Sequence, residues 1–176
     1  DPIDGTKTFV RGVPLYGVLI GLLREDQPVL GVLHMPALNE TVGAALGHGC
    51  RWNGNPCRVS TVDRLDRSLI VGTIAHGYER YHKDQAFQRI LQRCYLYRTW
   101  GDCYGYLLVA TGRAEAMIDP IMSVWDAAAM LPILQEAGGT YTDWQGTPTI
   151  HQPEGLATNS LVLAEMLAAI NGSEAS

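Results

Sequence analysis

The chain begins with a hexapeptide that constrains everything after it, Asp1-Pro2-Ile3-Asp4-Gly5-Thr6. Asp1 and Asp4 reach one point if the backbone is extended as far as Ile3 and then turns. A pair of carboxylates with a backbone carbonyl between them suits a hard cation such as Mg²⁺, which takes oxygen ligands. Pro2 fixes its own φ and biases Asp1 toward extended geometry. Gly5 lets the backbone approach a ligand closely, and the amides of Gly5 and Thr6 can then face an anion. A cation beside backbone donors makes a phosphate site. A surface turn with a capping Asp accounts for the same spacing equally well, because Asp, Pro and Gly are all turn formers. The rest of the chain has to decide.

The 176 residues are 47% hydrophobic and 18% charged, which is enough for one domain with a real core. A formal net charge of −5 argues against a nucleic-acid polymer as partner. A small phosphorylated ligand remains compatible, since bound metal supplies positive field locally. Cys50, Cys57, Cys94 and Cys103 show no CxxC spacing and read as reduced thiols. No apolar run reaches membrane-spanning length and no signal-peptide pattern is present, so a cytoplasmic protein without a membrane partner is expected. The chain starts inside its central motif without an initiator Met, and termini fray. The expectation is therefore an upstream part not represented in this sequence.

The pattern predicts an antiparallel meander in the first third. Strands are expected over Pro14–Arg24, Val29–Met35 and Asn39–Leu46, with turns at Glu25–Gln27, Gly47–Gly49 and Asn53–Pro56. Strands then alternate with helices: strand Ser68–Thr73, helix Tyr81–Cys94, strand Leu96–Thr99, a helix capped by Asp102 and running to Thr111, and strand Ala114–Ile118. A helix opened by Asp126 and ending at Glu136, strand Gly139–Thr142 and helix Ser160–Ile170 complete the series. Pro132 should kink the helix that contains it. An α/β layered sandwich of mixed and antiparallel sheets follows, as a single domain with a metal loop and meander over 1–60 and an α/β part over 61–176.

Three further acids sit at element ends, where ligands gather but where caps and turn starts also call for an acid. Asp126 sits in the run WDAAAMLPILQEAGG at a helix N-terminus, where a carboxylate serves either as a cap or as a third ligand to the cation of the opening loop. Asp119 lies at a strand end before Pro120, and Asp102 at a strand-to-helix junction. The five histidines show no paired metal spacing on one element. Tyr104 and Tyr106 read as core or pocket wall. None of the cysteines has the basic neighbour and phosphate-loop glycines of a nucleophile.

DPIDGTKTFVRGVP followed by WDAAAMLPILQEAGG resembles the paired signatures of the inositol monophosphatase-like superfamily of metal-dependent phosphatases. The segments PVLGVLHMPALNE, GDCYGYLLVATG and AMIDPIMSVWDAAAMLPILQEAGGTYTDWQG are most similar to its histidinol-phosphate phosphatase branch. The resemblance implies that Asp1, the Ile3 carbonyl, Asp4 and Asp126 hold two or three Mg²⁺ ions. It implies that Gly5 and Thr6 bind phosphate through their amides, with the Thr6 hydroxyl orienting an attacking water and Asp1 catalytic as the ligand that bridges two of the ions. Asp119 would contact the non-phosphate part of the substrate, here an amino alcohol with an imidazole, and Asp102 would line the alcohol pocket. The implied reaction is metal-assisted hydrolysis of L-histidinol phosphate in histidine biosynthesis, by a homodimer. Inositol phosphate or a related sugar-alcohol or nucleotide phosphate is the alternative within the superfamily. The family's acidic Gly-Glu-Glu stretch and a further water-activating acid lie upstream of DPIDGT, so these residues alone also fit an inactive, metal-binding scaffold.

Overall fold

The computed structural model describes residues 1–173. In chain order the helices are α1 (Thr6–Phe9), α2 (Asp84–Arg93), α3 (Asp102–Ala110), α4 (Val124–Glu136) and α5 (Leu163–Asn171). The strands are β1 (Val18–Arg24), β2 (Gln27–Met35), β3 (Glu40–Ala45), β4 (Cys50–Trp52), β5 (Asn55–Pro56), β6 (Leu69–Gly72), β7 (Leu96–Arg98), β8 (Ala116–Asp119), β9 (Thr140–Thr142) and β10 (Gly155–Thr158).

The first sheet is the expected meander, in the order β1-β2-β3-β4-β5 and antiparallel throughout. Its β1–β2 turn places Glu25 and Asp26 at φ 52° and 67°, the left-handed pair that matches the twist of a two-residue hairpin. Side chains alternate across this sheet. Leu19, Leu33, Met35, Val42 and Ala44 face inward and are buried, while Ile20 and Leu22 face outward beside Val32 and Leu30. The second sheet has the order β7-β6-β8-β10-β9, with β6 parallel to β7 and β8, and β10 antiparallel to β8 and β9. The sandwich is therefore mixed, as the alternation of elements implied.

Helices α3 and α4 lie between the two sheets. They carry nearly continuous apolar surface, and α4 buries every residue from Ala127 to Leu134. Small residues set the spacing. A Cβ on Gly31 of β2 would sit 2.0 Å from the Ala129 carbonyl oxygen, so α4 packs flush on the sheet. Beyond the second sheet, α2 and α5 bury Phe87, Ile90, Met166 and Ile170 against Ile70, Ile118 and Leu156.

Several boundaries depart from the sequence-based expectations. The short strands β4, β5 and β10 and the single-turn α1 were not anticipated, and α5 begins at Leu163 rather than at residue 160. Helix α4 runs unbroken through Pro132, whose ring packs toward Gly31 in the core. Ser123 precedes the helix, so Asp126 is its third residue and not its first. Asp102 does not cap α3 with its side chain; it is the first helical residue, at φ 50°. The acceptor at this helix end comes from elsewhere in the chain, as described below.

Candidate metal and phosphate site

The opening loop is fastened to the edge of the first sheet. Asp4 and Gly17 exchange both backbone hydrogen bonds, at 2.9 and 3.1 Å, and the Leu19 N–H donates to the Asp1 carbonyl at 2.8 Å. Gly17 is required there, because a Cβ would meet Cys103 Sγ at 2.8 Å and the His34 carbonyl oxygen at 2.9 Å. Within the loop the Ile3 N–H donates to Asp1 Oδ1 at 2.8 Å, and the Thr6 hydroxyl donates to the Ile3 carbonyl at 2.8 Å. Gly5, at φ 76°, turns the chain into α1. The first amides of a helix have no partner within it, so those of Gly5 and Thr6 are free to meet an anion.

Asp1, Asp4 and Asp126 converge. Each offers a carboxylate oxygen, and the three atoms lie within 4.8 Å of one another. Asp126 reaches the loop from the first turn of α4, and the position of that turn follows from the flush packing of the helix on β1 and β2. One Asp126 oxygen, Oδ1, is buried without a hydrogen-bond partner. Burial and, secondarily, the charge of Asp4 push the Asp126 carboxyl up to about 6. An orphaned oxygen inside a carboxylate trio fits a divalent cation, which would supply the missing partner and cancel the repulsion.

Asp4 has a second task. Its Oδ2 accepts the Cys103 N–H at 2.5 Å, which caps α3 from the opening loop. Asp102 stands beside it, pushed up to about 6 by burial and by the charge of Asp4, against the opposing pull of Lys7.

Asp119 ends β8 and is buried. Its carboxylate accepts the Thr73 hydroxyl at 2.6 Å and the Tyr106 hydroxyl at 3.0 Å, and burial pushes it up to about 8. Thr73 in turn accepts the Asp102 N–H at 3.0 Å. Thr73 thus joins the two acids assigned to the substrate, a role not foreseen from sequence. Its position just past β6 carried the signal, since ligands in α/β sheets gather at the carboxyl ends of strands.

All five aspartates border one cavity of about 530 Å³, with Lys7 and Thr73 among the other residues of its wall. Ile121 and Trp125, 60% and 61% exposed, stand at its mouth. The acids of the opening loop and of α4 thus border the same concave site as Asp102 and Asp119.

The sequence model of the inositol monophosphatase family matches residues 1–174. The chain belongs to the inositol monophosphatase family. A histidinol-phosphatase of Chlorobaculum parvum is 43% identical over 175 residues, which is 99% of this chain and 68% of the relative. One from Mycobacterium tuberculosis is 36% identical over 176 residues, covering 97% and 68%. In three dimensions an inositol monophosphatase from Zymomonas mobilis superposes with a TM-score of 0.89 at 31% identity, over 97% of this chain and 68% of that one. As a member of this family the chain is a metal-dependent phosphatase, and Asp1, Asp4 and Asp126 form a carboxylate trio that could hold a metal ion. No helix among the described residues is long and apolar enough to cross a membrane.

Proposed function

We propose that the protein hydrolyses L-histidinol phosphate to L-histidinol and phosphate, with Mg²⁺ held by Asp1, Asp4, Asp126 and the Ile3 carbonyl. The single observation that carries the reading is the convergence of the three carboxylates, one with an orphaned oxygen, at the wall of a cavity that also holds two further acids. The identity of 43% to a histidinol-phosphatase supports the choice of substrate.

Bound cations supply charge neutralisation of the phosphoryl group and a more acidic water. The amides of Gly5 and Thr6 hold the phosphate oxygens, and the Thr6 hydroxyl, already turned toward the Ile3 carbonyl, orients the attacking water. Little covalent work is left to the protein, so positioning and charge stabilisation dominate. Asp119 receives the cationic part of the substrate. Its two hydroxyl partners leave lone pairs unused, and a substrate ammonium or imidazolium offsets the burial that otherwise favours its neutral form. Asp102 lines the alcohol side.

A second reading, inositol phosphate as substrate, is favoured by the close superposition on an inositol monophosphatase. Phosphate release from L-histidinol phosphate and from inositol 1-phosphate, measured on the protein with Mg²⁺ and with EDTA, separates the two. Preferential, Mg²⁺-dependent turnover of histidinol phosphate is expected. Equal or faster turnover of inositol phosphate overturns the choice of substrate, and turnover that survives EDTA overturns the role of the metal.

A further inference from the structure

Four thiols are present and none lies in a disulfide, but two of them touch. The hairpin of β4 and β5 turns at Asn53 and Gly54, both at positive φ (48° and 83°). Its register pairs Trp52 with Asn55 and Arg51 with Pro56, so the next opposed pair is Cys50 and Cys57. The Cys57 N–H donates to the Cys50 carbonyl at 3.1 Å, and the two sulfur atoms lie 3.5 Å apart, within hydrogen-bond reach. Opposed residues on antiparallel strands have Cα atoms about 4.5–5.5 Å apart, within the range of roughly 4.4–6.8 Å that a disulfide spans.

We propose that Cys50 and Cys57 form a peroxide-sensitive dithiol that closes to an intramolecular disulfide, with Cys57 the attacking thiol and Cys50 the resolving one. Cys57 is half-buried and reachable by a small oxidant, whereas Cys50 is 4% exposed. Pairing with Cys50 holds the Cys57 thiol below its usual range, and pairing with Cys57 together with burial pushes Cys50 up. The Cys57 thiolate attacks one oxygen of hydrogen peroxide, the O–O bond breaks, and hydroxide departs, leaving a sulfenic acid. Cys50 sulfur then attacks Cys57 sulfur, the S–O bond breaks, and the hydroxyl leaves as water with the Cys50 proton. Two thiols and one peroxide thus yield one disulfide and two waters. The rigid turn keeps the resolving sulfur beside the sulfenic acid, which favours closure over further oxidation.

The other two thiols lack this arrangement. Cys103 is buried against Met35 and pushed up by burial; Cys94 is also pushed up by burial, and its thiol faces the Leu91 carbonyl. Neither Cys50 nor Cys57 lines the cavity, so the chemistry can be followed without reference to turnover.

The test is peptide mapping of the reduced protein after hydrogen peroxide, with alkylation under denaturing conditions before trypsin. The expected product joins Glu25–Arg51 to Trp52–Arg58 within one chain, two hydrogens lighter than the free peptides, with Cys94 and Cys103 alkylated. In Cys50→Ala a cyclic 1,3-dione should trap a sulfenic acid at Cys57, and in Cys57→Ala the Cys50 thiol should survive. The wild-type map alone decides the pairing if a variant misfolds. Linkage between chains, alkylation of both Cys50 and Cys57 while Cys94 oxidises, or a sulfenic acid at Cys50 in Cys57→Ala would each overturn the proposal.

Discussion

Asp4 and Cys103 are joined by a hydrogen bond across the interior, from the Cys103 N–H to the Asp4 carboxylate at 2.5 Å. One side chain therefore offers an oxygen to the proposed cation site and caps a helix whose first residues border the same cavity. These tasks separate on mutation. Asp4→Asn keeps an acceptor for the helix and should stay within about 1 kcal/mol of wild-type stability while losing cation affinity. Asp4→Ala also loses the cap and should cost about 1–2 kcal/mol. Urea unfolding without metal, beside a Mg²⁺ titration of each variant, checks both halves.

Asp126→Asn should abolish turnover while leaving the metal-free fold intact or firmer. The carboxyl at 126 is pushed up to about 6 by burial and by Asp4, so its folded form favours the proton. Stability from this group is complete below the unfolded carboxylate pKa and declines as pH rises to about 6. At pH 7.5 the neutral amide relieves that penalty, and the Tm in EDTA should equal or exceed wild type. Turnover should fall by more than the roughly 10–100-fold typical of losing a metal ligand's supporting partner. Near-normal rates at saturating Mg²⁺ would remove Asp126 from the ligand set.

Asp119 gives the fold a pH dependence of its own. Its carboxyl rises to about 8 through burial, so the folded chain binds a proton that the unfolded chain releases between about pH 4 and 8. Stability should therefore decline with rising pH across that window. Subtracting the profile of Asp119→Asn isolates this component, and thermal melts at pH 5 and 8 in EDTA are sufficient. Identical slopes in the two proteins would mean that Asp119 folds as an ordinary ionised acid.

Gly31→Ala should be among the costliest single methyl additions. The new Cβ would lie 2.0 Å from the Ala129 carbonyl oxygen, which is backbone and cannot rotate away. Overpacking of this kind costs about 1–3 kcal/mol or more. Because α4 carries Asp126, lifting the helix should also weaken Mg²⁺ binding, a loss that stability measurements alone would miss.

The outward face of the first sheet is apolar, with Ile20 and Leu22 at 57% and 55% exposed. These 176 residues expressed alone should self-associate through that face, and Leu22→Lys should reduce the association in sedimentation velocity. A monodisperse wild-type sample with a cooperative melt would count against this.

Long elements were legible in the sequence: apolar spacing and turn residues place the meander and α2, and an acid near the start with glycine past the end places the nearly all-apolar α3 and α4. Short elements were not. β5 has two residues and β10 runs Gly-Leu-Ala-Thr, too brief for a period, and both are held by neighbouring strands rather than by propensity. At the site, the two signature segments carried Asp1, Asp4 and Asp126, which the fold brings together. Asp102 was misread as a cap because sequence cannot show that Asp4, from 99 positions away, supplies the acceptor. Thr73 stood at an expected strand end, where ligands gather, but its bonds to Asp102 and Asp119 needed the fold. The Cys50–Cys57 contact needed the β4–β5 register, which those short strands did not reveal.

Calorimetric titration of Mg²⁺ into the wild-type protein and Asp126→Asn bears most directly on whether acids from the first loop and a late helix share one cation. Saturable binding in wild type, weakened at least about tenfold in the variant, is the predicted result. Equal affinity in the two would show that the helix carboxylate is no ligand and that the convergence of Asp1, Asp4 and Asp126 does not make a metal site.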